Sequence, residues 1–165
     1  MKNTKLIASG AMMTALCVTI LLLGTVLEIG MYALPLFVGV ILIPYGGKYG
    51  KKAHFTVFMA VSLLSFILIP NIEQNMIFTG FFGWYPIICP AILRLKSPID
   101  LIVKLLIFNT SIISVEFLIM KSLVPDIFAY EALIIMLLLA NIAFLIYDKA
   151  LPKLYLRLVK FQQYI

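Results

Sequence analysis

Residues 6–27 read LIASGAMMTALCVTILLLGTVL and contain no charged side chain. A helix needs about 20 predominantly apolar residues to cross the hydrocarbon core of a bilayer, so this run is long enough. The whole chain of 165 residues has the same character, because 64% of its residues are hydrophobic and 12% are charged. Soluble domains have about 45–50% apolar and about 25% charged residues. The composition therefore predicts a membrane protein and excludes a soluble enzyme, a disordered chain and a disulfide scaffold.

The chain contains six apolar segments, separated by short stretches of charged residues, glycine or proline. Continuously apolar segments favour helices over the alternating strands of a membrane β-barrel, and helices satisfy their own backbone in lipid. We therefore expect an all-α membrane protein, a compact bundle of six transmembrane helices. The segments are residues 6–27, 32–45, 53–69, 76–93, 101–120 and 127–147.

Basic residues set the expected orientation. If all six segments cross the membrane, Lys121 lies on one side, and the other twelve of the 13 Lys and Arg residues, Lys104 among them, lie opposite. An excess of Lys and Arg marks the cytoplasmic side, so both termini are expected in the cytoplasm of a bacterium. Residues 1–148 would form the transmembrane domain in the cell membrane. Residues 149–165 combine basic and apolar side chains and predict an amphipathic tail at the membrane surface.

Motifs for several common catalytic chemistries are missing from the sequence. It has no Gly-rich phosphate loop, no His-Glu-x-x-His and no Gly-x-Ser-x-Gly pattern. The single histidine, His54, follows two lysines and is interpreted as an anchor at the membrane interface, and Cys17 and Cys89 are interpreted as packing residues. We therefore expect no enzyme activity, no metal site and no cofactor. Topology accounts for the net charge of +6, which leaves no argument for nucleic-acid binding.

Polar side chains in the outer half predict a binding site for a small organic molecule. Glu116 precedes Lys121 by five residues, which places it about 6–7 Å inside the fifth segment. An ionisable group at that depth normally faces protein or water. Glu116 therefore either reaches the outer interface, towards Lys121, or forms the wall of an outward-open cavity. Asn109 lies seven residues earlier, on about the same helix face.

Two further features complete the predicted pocket. Trp84 precedes the proline-broken stretch 86–90, and broken backbone is tolerated at depth where protein or water covers it. The loop 70–75 is dense in hydrogen-bonding side chains. The predicted substrate-binding residues are Asn71, Glu73, Asn75, Trp84, Asn109 and Glu116.

Small residues recur along one side of the first segment. Ala8, Ala11 and Ala15 follow one another at steps of three and four residues, as neighbours on one helix face do. In lipid, small residues allow helices to approach closely. This face either packs against another span of the same chain or docks a separate membrane subunit.

At this point the sequence resembles the substrate-binding S components of energy-coupling factor (ECF) transporters. The resemblance rests on length, six spans, cytoplasmic termini, Ala11 and Ala15 in the family's Ala-x-x-x-Ala pattern, and the stretch FGWYP at 82–86. It implies that Ala11 and Ala15 face a transmembrane T subunit and that two cytoplasmic ATPase subunits supply energy. It also implies capture of a vitamin-like small molecule outside, followed by toppling of the S component in the membrane.

Two other classes remain open. One is an envelope or cell-shape scaffold resembling the small MreD-type proteins, in which the alanines would form an assembly face and no ligand would bind. The other is a small channel or exporter that builds its pore by oligomerisation. An outer cavity lined by Trp84, Asn109 and Glu116 would favour the binding subunit, whereas an outer half filled by apolar side chains would exclude it.

Overall fold

A computed structural model of the chain describes the backbone of residues 2–27, 30, 32–123 and 130–162. Side chains are described for the same residues except 2–3, 118–134, 136 and 155–162. All regular secondary structure within these ranges is helical, which confirms the all-α class. The helices are α1 Lys2–Leu27, α2 Ala33–Tyr49, α3 Lys51–Leu68, α4 Ile72–Ile77, α5 Tyr85–Ile92, α6 Ile99–Leu123 and α7 Tyr130–Gln162, with a π-helical turn at Phe78–Phe82.

Three stretches of the described chain are helical, long and apolar enough to cross a membrane: Thr4–Leu27, Lys51–Leu68 and Ile72–Ile92. The last of them comprises α4, the π turn and α5. Ala33–Tyr49 is apolar but shorter. Membrane character is thus supported by three helices, while the full count of six spans and the side of each terminus stay predictions.

The outer surface of the bundle is apolar. Met12 is 75% exposed and Ile67 is 78% exposed, and many other large aliphatic side chains also point outward. Soluble monomers rarely expose large contiguous apolar patches, because water disfavours them. Lipid tails are a suitable environment for such side chains, so this surface agrees with the three apolar helices.

Helix α2 occupies the centre of the bundle, although its segment is the shortest of the six in the sequence. Its Val38 and Leu42 pack in a cluster with buried residues of α1 and α3. Its Ile43 packs in a second, aromatic cluster with residues of α5, α6 and α7. In that cluster the rings of Phe108 and Phe144 stack with centroids 4.4 Å apart. α2 therefore joins the two halves of the core.

Gly39 lets α2 approach the π turn closely. A Cβ atom at this position would lie 2.4 Å from the backbone carbonyl oxygen of Phe82. Backbone atoms cannot rotate away as a flexible side chain can, so any larger residue must push α2 away from the π turn. The close contact between α2 and the π turn thus requires a residue without a side chain at position 39.

Gly39→Ala is expected to lower the free energy of unfolding by about 1–3 kcal/mol, because overpacking outweighs the better helix propensity of alanine. The measurement is the thermal unfolding midpoint of the purified protein in detergent micelles. Gly47→Ala, on an exposed position of the same helix, serves as the control and should leave the midpoint unchanged or raise it. Equal midpoints for the two variants would show that the close contact contributes nothing.

Candidate functional site

A buried ion pair joins α6 to α7. Lys104 is 3% exposed and Asp148 is 6% exposed, and the lysine Nζ lies 2.8 Å from the aspartate Oδ2. The Tyr85 hydroxyl donates to the other carboxylate oxygen at 2.6 Å, and Asp100 lies 3.5 Å from the same Nζ. Ion pairs removed from water need such additional hydrogen bonds to offset desolvation. The ion pair and the Tyr85 hydrogen bond therefore connect α5, α6 and α7.

Lys104 was counted among the basic residues of the expected cytoplasmic side, and the structure shows that its side chain is buried. Its ammonium group is inside the bundle, so it is a weaker indicator of orientation than the exposed lysines. The helix that carries Asp148 also continues past residue 148 without a break, and Leu151 is buried in the aromatic cluster. The division into 1–148 and 149–165 stays a prediction, because the side chains of 155–165 lie outside the described residues.

Two asparagines form a second link between α6 and α7. Asn109 Nδ2 donates to Asn141 Oδ1 at 2.9 Å, and Asn141 Nδ2 donates back to Asn109 Oδ1 at 2.8 Å. Each amide also donates to the backbone carbonyl four residues earlier, on Leu105 and Leu137. Asn109 was predicted to bind substrate, but here both its amide oxygen and nitrogen are engaged within the protein.

A groove of about 540 Å³ opens between α2, α6 and α7. We call it the acidic groove, because Glu116 forms part of its wall. Small side chains leave the space, and aromatic rings form much of its apolar lining. Among the residues that line it are Tyr32, Ala33, Phe108, Glu116, Ala140 and Phe144.

Acidic and phenolic groups meet at one end of the acidic groove. The Tyr32 hydroxyl donates a short hydrogen bond to the Glu73 carboxylate, and Tyr32 and Glu116 both line the groove. Glu116 is 8% exposed. The salt bridges found within the described residues all involve Lys104, so neither glutamate has a basic partner there. The alternative pairing of Glu116 with Lys121 falls outside the described side chains.

The other predicted site residues hold the fold together. Asn71 caps α4 by accepting the Gln74 N–H at 2.9 Å. Asn75 Nδ2 donates to the carbonyls of Ser65 and Ile69, at the end of α3. Trp84 Nε1 donates to the Gly80 carbonyl at 2.9 Å. Glu116 alone of the six predicted residues lines the acidic groove, with Glu73 joined to it through Tyr32; substrate contact by any of the six stays a prediction.

Sequence reasoning missed Tyr32 and Gln74. Gln74 is fully buried, donates to the Leu21 carbonyl at 2.7 Å and accepts from Thr25 at 3.0 Å, which fixes α4 against α1. The polar loop 70–75 indicated that hydrogen bonds would form there. It could not indicate that their partners lie 49 and 53 residues away.

The alanine face of α1 lies at the protein surface. Ala8, Ala11 and Ala15 are exposed, whereas Cys17 and Leu21 form the buried side of the helix. Ala11 and Ala15 border a second groove, of about 480 Å³, between α1 and α3. We call it the alanine groove. These three alanines are thus not covered by another described part of this chain.

His54 is a packing residue and not an interfacial anchor, which corrects the sequence interpretation. Its side chain is 3% exposed, and a Cβ on Gly46 would lie 2.5 Å from its Nδ1. The imidazole therefore fills space beside α2. Within the described residues, no three His, Cys, Asp or Glu side chains are grouped as a metal site would require.

No protein-family model, curated protein or solved structure matches this chain. The geometry of the two grooves must therefore carry any functional argument.

Asp148→Ala is expected to lower the free energy of unfolding by about 3–5 kcal/mol, because it leaves the Lys104 ammonium buried without its main partner. The double variant Lys104→Met/Asp148→Leu should recover most of this loss, since no charge then remains unpaired. Both are measured as thermal unfolding midpoints in detergent. Lys153→Met, at an exposed position of α7, should change the midpoint little; a loss in the double variant as large as in Asp148→Ala would contradict the interpretation.

Proposed function

We propose that this protein is the membrane-embedded substrate-binding subunit of an ECF-type importer. It would span the cell membrane six times with both termini in the cytoplasm. It would take a vitamin-like small molecule from outside and pass it inward by docking on a transmembrane T subunit driven by two cytoplasmic ATPases. No catalysis by the chain itself is required.

The observation that carries the proposal is the presence of two separate grooves on different helices. The acidic groove is formed by α2, α6 and α7, and its volume of about 540 Å³ falls in the range of about 300–1,000 Å³ typical of small-molecule sites. The alanine groove is formed mainly by α1 and α3. A subunit that binds a ligand and also couples to a partner needs two such surfaces.

The alanine groove has the residues that close helix packing in a membrane requires. Gly10, Ala11 and Ala15 on α1 face Ala53 and Ala60 on α3 across it. Small side chains allow a partner helix to approach the backbone, where dispersion contacts replace the hydrophobic effect that lipid cannot provide. A helix of the T subunit is the occupant that this proposal assigns to it.

The scaffold hypothesis accounts less well for Glu116. Among the described residues Glu116 has no basic partner, and a scaffold without a ligand gains nothing from a buried carboxylate in the wall of an open groove unless Lys121 pairs with it. A cavity was the feature expected to separate the binding subunit from the scaffold. The acidic groove is such a cavity and Glu116 lines it, whereas Trp84 and Asn109 do not. The binding subunit therefore fits the described residues better.

Ala11→Leu/Ala15→Leu is expected to reduce recovery of the T subunit at least tenfold when the tagged protein is purified from its host membrane in mild detergent. The two larger leucine side chains would fill the alanine groove, which the exposed Ala11 and Ala15 border. Mass spectrometry of the eluate identifies and quantifies the T subunit and the ATPases.

The matched control is Ala91→Leu, an exposed alanine of α5 outside both grooves, which should leave recovery unchanged. Absence of any T subunit from the wild-type eluate, or equal recovery with the double variant, would refute this assignment. Recovery of envelope-assembly proteins in place of the T subunit would favour the scaffold.

A further inference from the structure

Glu116 is a buried carboxylate with no counter-charge among the described residues. It is more than nine-tenths buried and lines the acidic groove. The Tyr32 hydroxyl, which lines the same groove, already donates to Glu73. Glu116 itself makes no hydrogen bond to a described residue. Its carboxylate therefore lines the groove without a hydrogen-bond partner among the described residues.

An unpaired carboxylate in an apolar environment is disfavoured unless a cation or a donor compensates for it or the group takes up a proton. A second carboxylate close by increases the cost, because like charges repel. Glu73 supplies that second group, since it accepts the hydrogen bond of Tyr32, which lines the groove together with Glu116. A bound cation would remove both penalties at once, whereas a bound anion would add to them.

The remainder of the groove determines what kind of cation fits. Its lining is mostly apolar and includes the rings of Phe82, Phe108 and Phe144. Aromatic faces attract ammonium groups and pack against flat or aliphatic molecules. A bare metal ion would gain nothing from this lining and would need more oxygen ligands than two glutamates and a tyrosine provide. An organic molecule with one positive nitrogen uses both the acidic end and the apolar length.

We propose that the acidic groove binds an organic monocation, a protonated amine or a ring nitrogen cation attached to an apolar body. Its positive nitrogen sits at Glu116 and Glu73, and its apolar body lies along Phe108 and Phe144. This inference rests on the proposed function for its biological meaning, since it names the chemical class of the imported molecule. Acidic substrates of similar size are excluded by the same two carboxylates.

The test uses three probes with one carbon skeleton and different charge. These are 4-phenylbutylamine, which is cationic at pH 7, the neutral 4-phenylbutan-1-ol and the anionic 4-phenylbutyrate. Binding to the purified full-length protein in detergent is measured by isothermal titration calorimetry, with empty micelles as the blank. The amine is expected to bind saturably and at least tenfold more tightly than the alcohol, and the carboxylate most weakly.

Glu116→Gln should weaken amine binding at least tenfold and leave alcohol binding unchanged, because it removes the charge and preserves the shape. Glu73→Gln provides a second variant with the same expected direction and a smaller effect. Asp100→Asn is the matched control, since Asp100 lies on the same helix about 24 Å away by helical rise and should not affect either probe.

Three results would overturn the inference: no saturable amine binding, equal affinity for the three probes, or an amine preference that survives both Glu→Gln substitutions. The order of affinity of the wild-type protein for the three probes tests the inference even if a variant fails to fold. Failure here is distinguishable from failure of the importer proposal, because recovery of the T subunit is measured independently. A protein that recovers the T subunit but prefers the alcohol or the carboxylate keeps its proposed function and loses only this ligand class.

Discussion

Polar groups that are buried away from water must find hydrogen-bond partners within the protein. Lys104 pairs with Asp148, and Asn109 pairs with Asn141. These contacts specify which face of α7 meets α6, since apolar side chains alone would tolerate several rotations of one helix about its axis. The aromatic stacking of Phe108 on Phe144 then follows, because both rings lie on the faces selected in this way.

The same constraint acts where the chain is not regular. Between α3 and α4 the backbone turns, and Asn75 donates to the carbonyls of Ser65 and Ile69, the first of which also accepts the Ile69 N–H. Gln74 supplies the corresponding link to the backbone of α1. A stretch that looks in the sequence like a solvated polar loop is thus largely a set of internal connections. Its density of amide side chains reflects the number of carbonyls that need donors.

The sequence predicted the helical class and the approximate helices because apolar run length and glycine or proline breaks are local properties. It also identified Ala8, Ala11 and Ala15 as one face of α1, since steps of three and four residues define a helix face, but it left open whether another span covers them. It did not predict the pairing of Lys104 with Asp148 or of Tyr32 with Glu73, because these depend on how separate helices pack. Charge counting assigned Lys104 to one side of the membrane and could not show that another helix covers it, because a single residue's type does not reveal its neighbours.

Three side chains in the described part of the bundle are buried and carry a formal charge: Lys104, Asp148 and Glu116. Two of them neutralise each other, and the third lies in the wall of a groove. If Glu116 served only packing, an isosteric glutamine would fill the same volume without the cost of desolvating a charge. A carboxylate at this position agrees with the proposed cationic ligand, whereas Lys121, whose side chain lies outside the described residues, is the alternative partner within the chain. The groove gives such a ligand room, and its aromatic lining suits a largely apolar molecule.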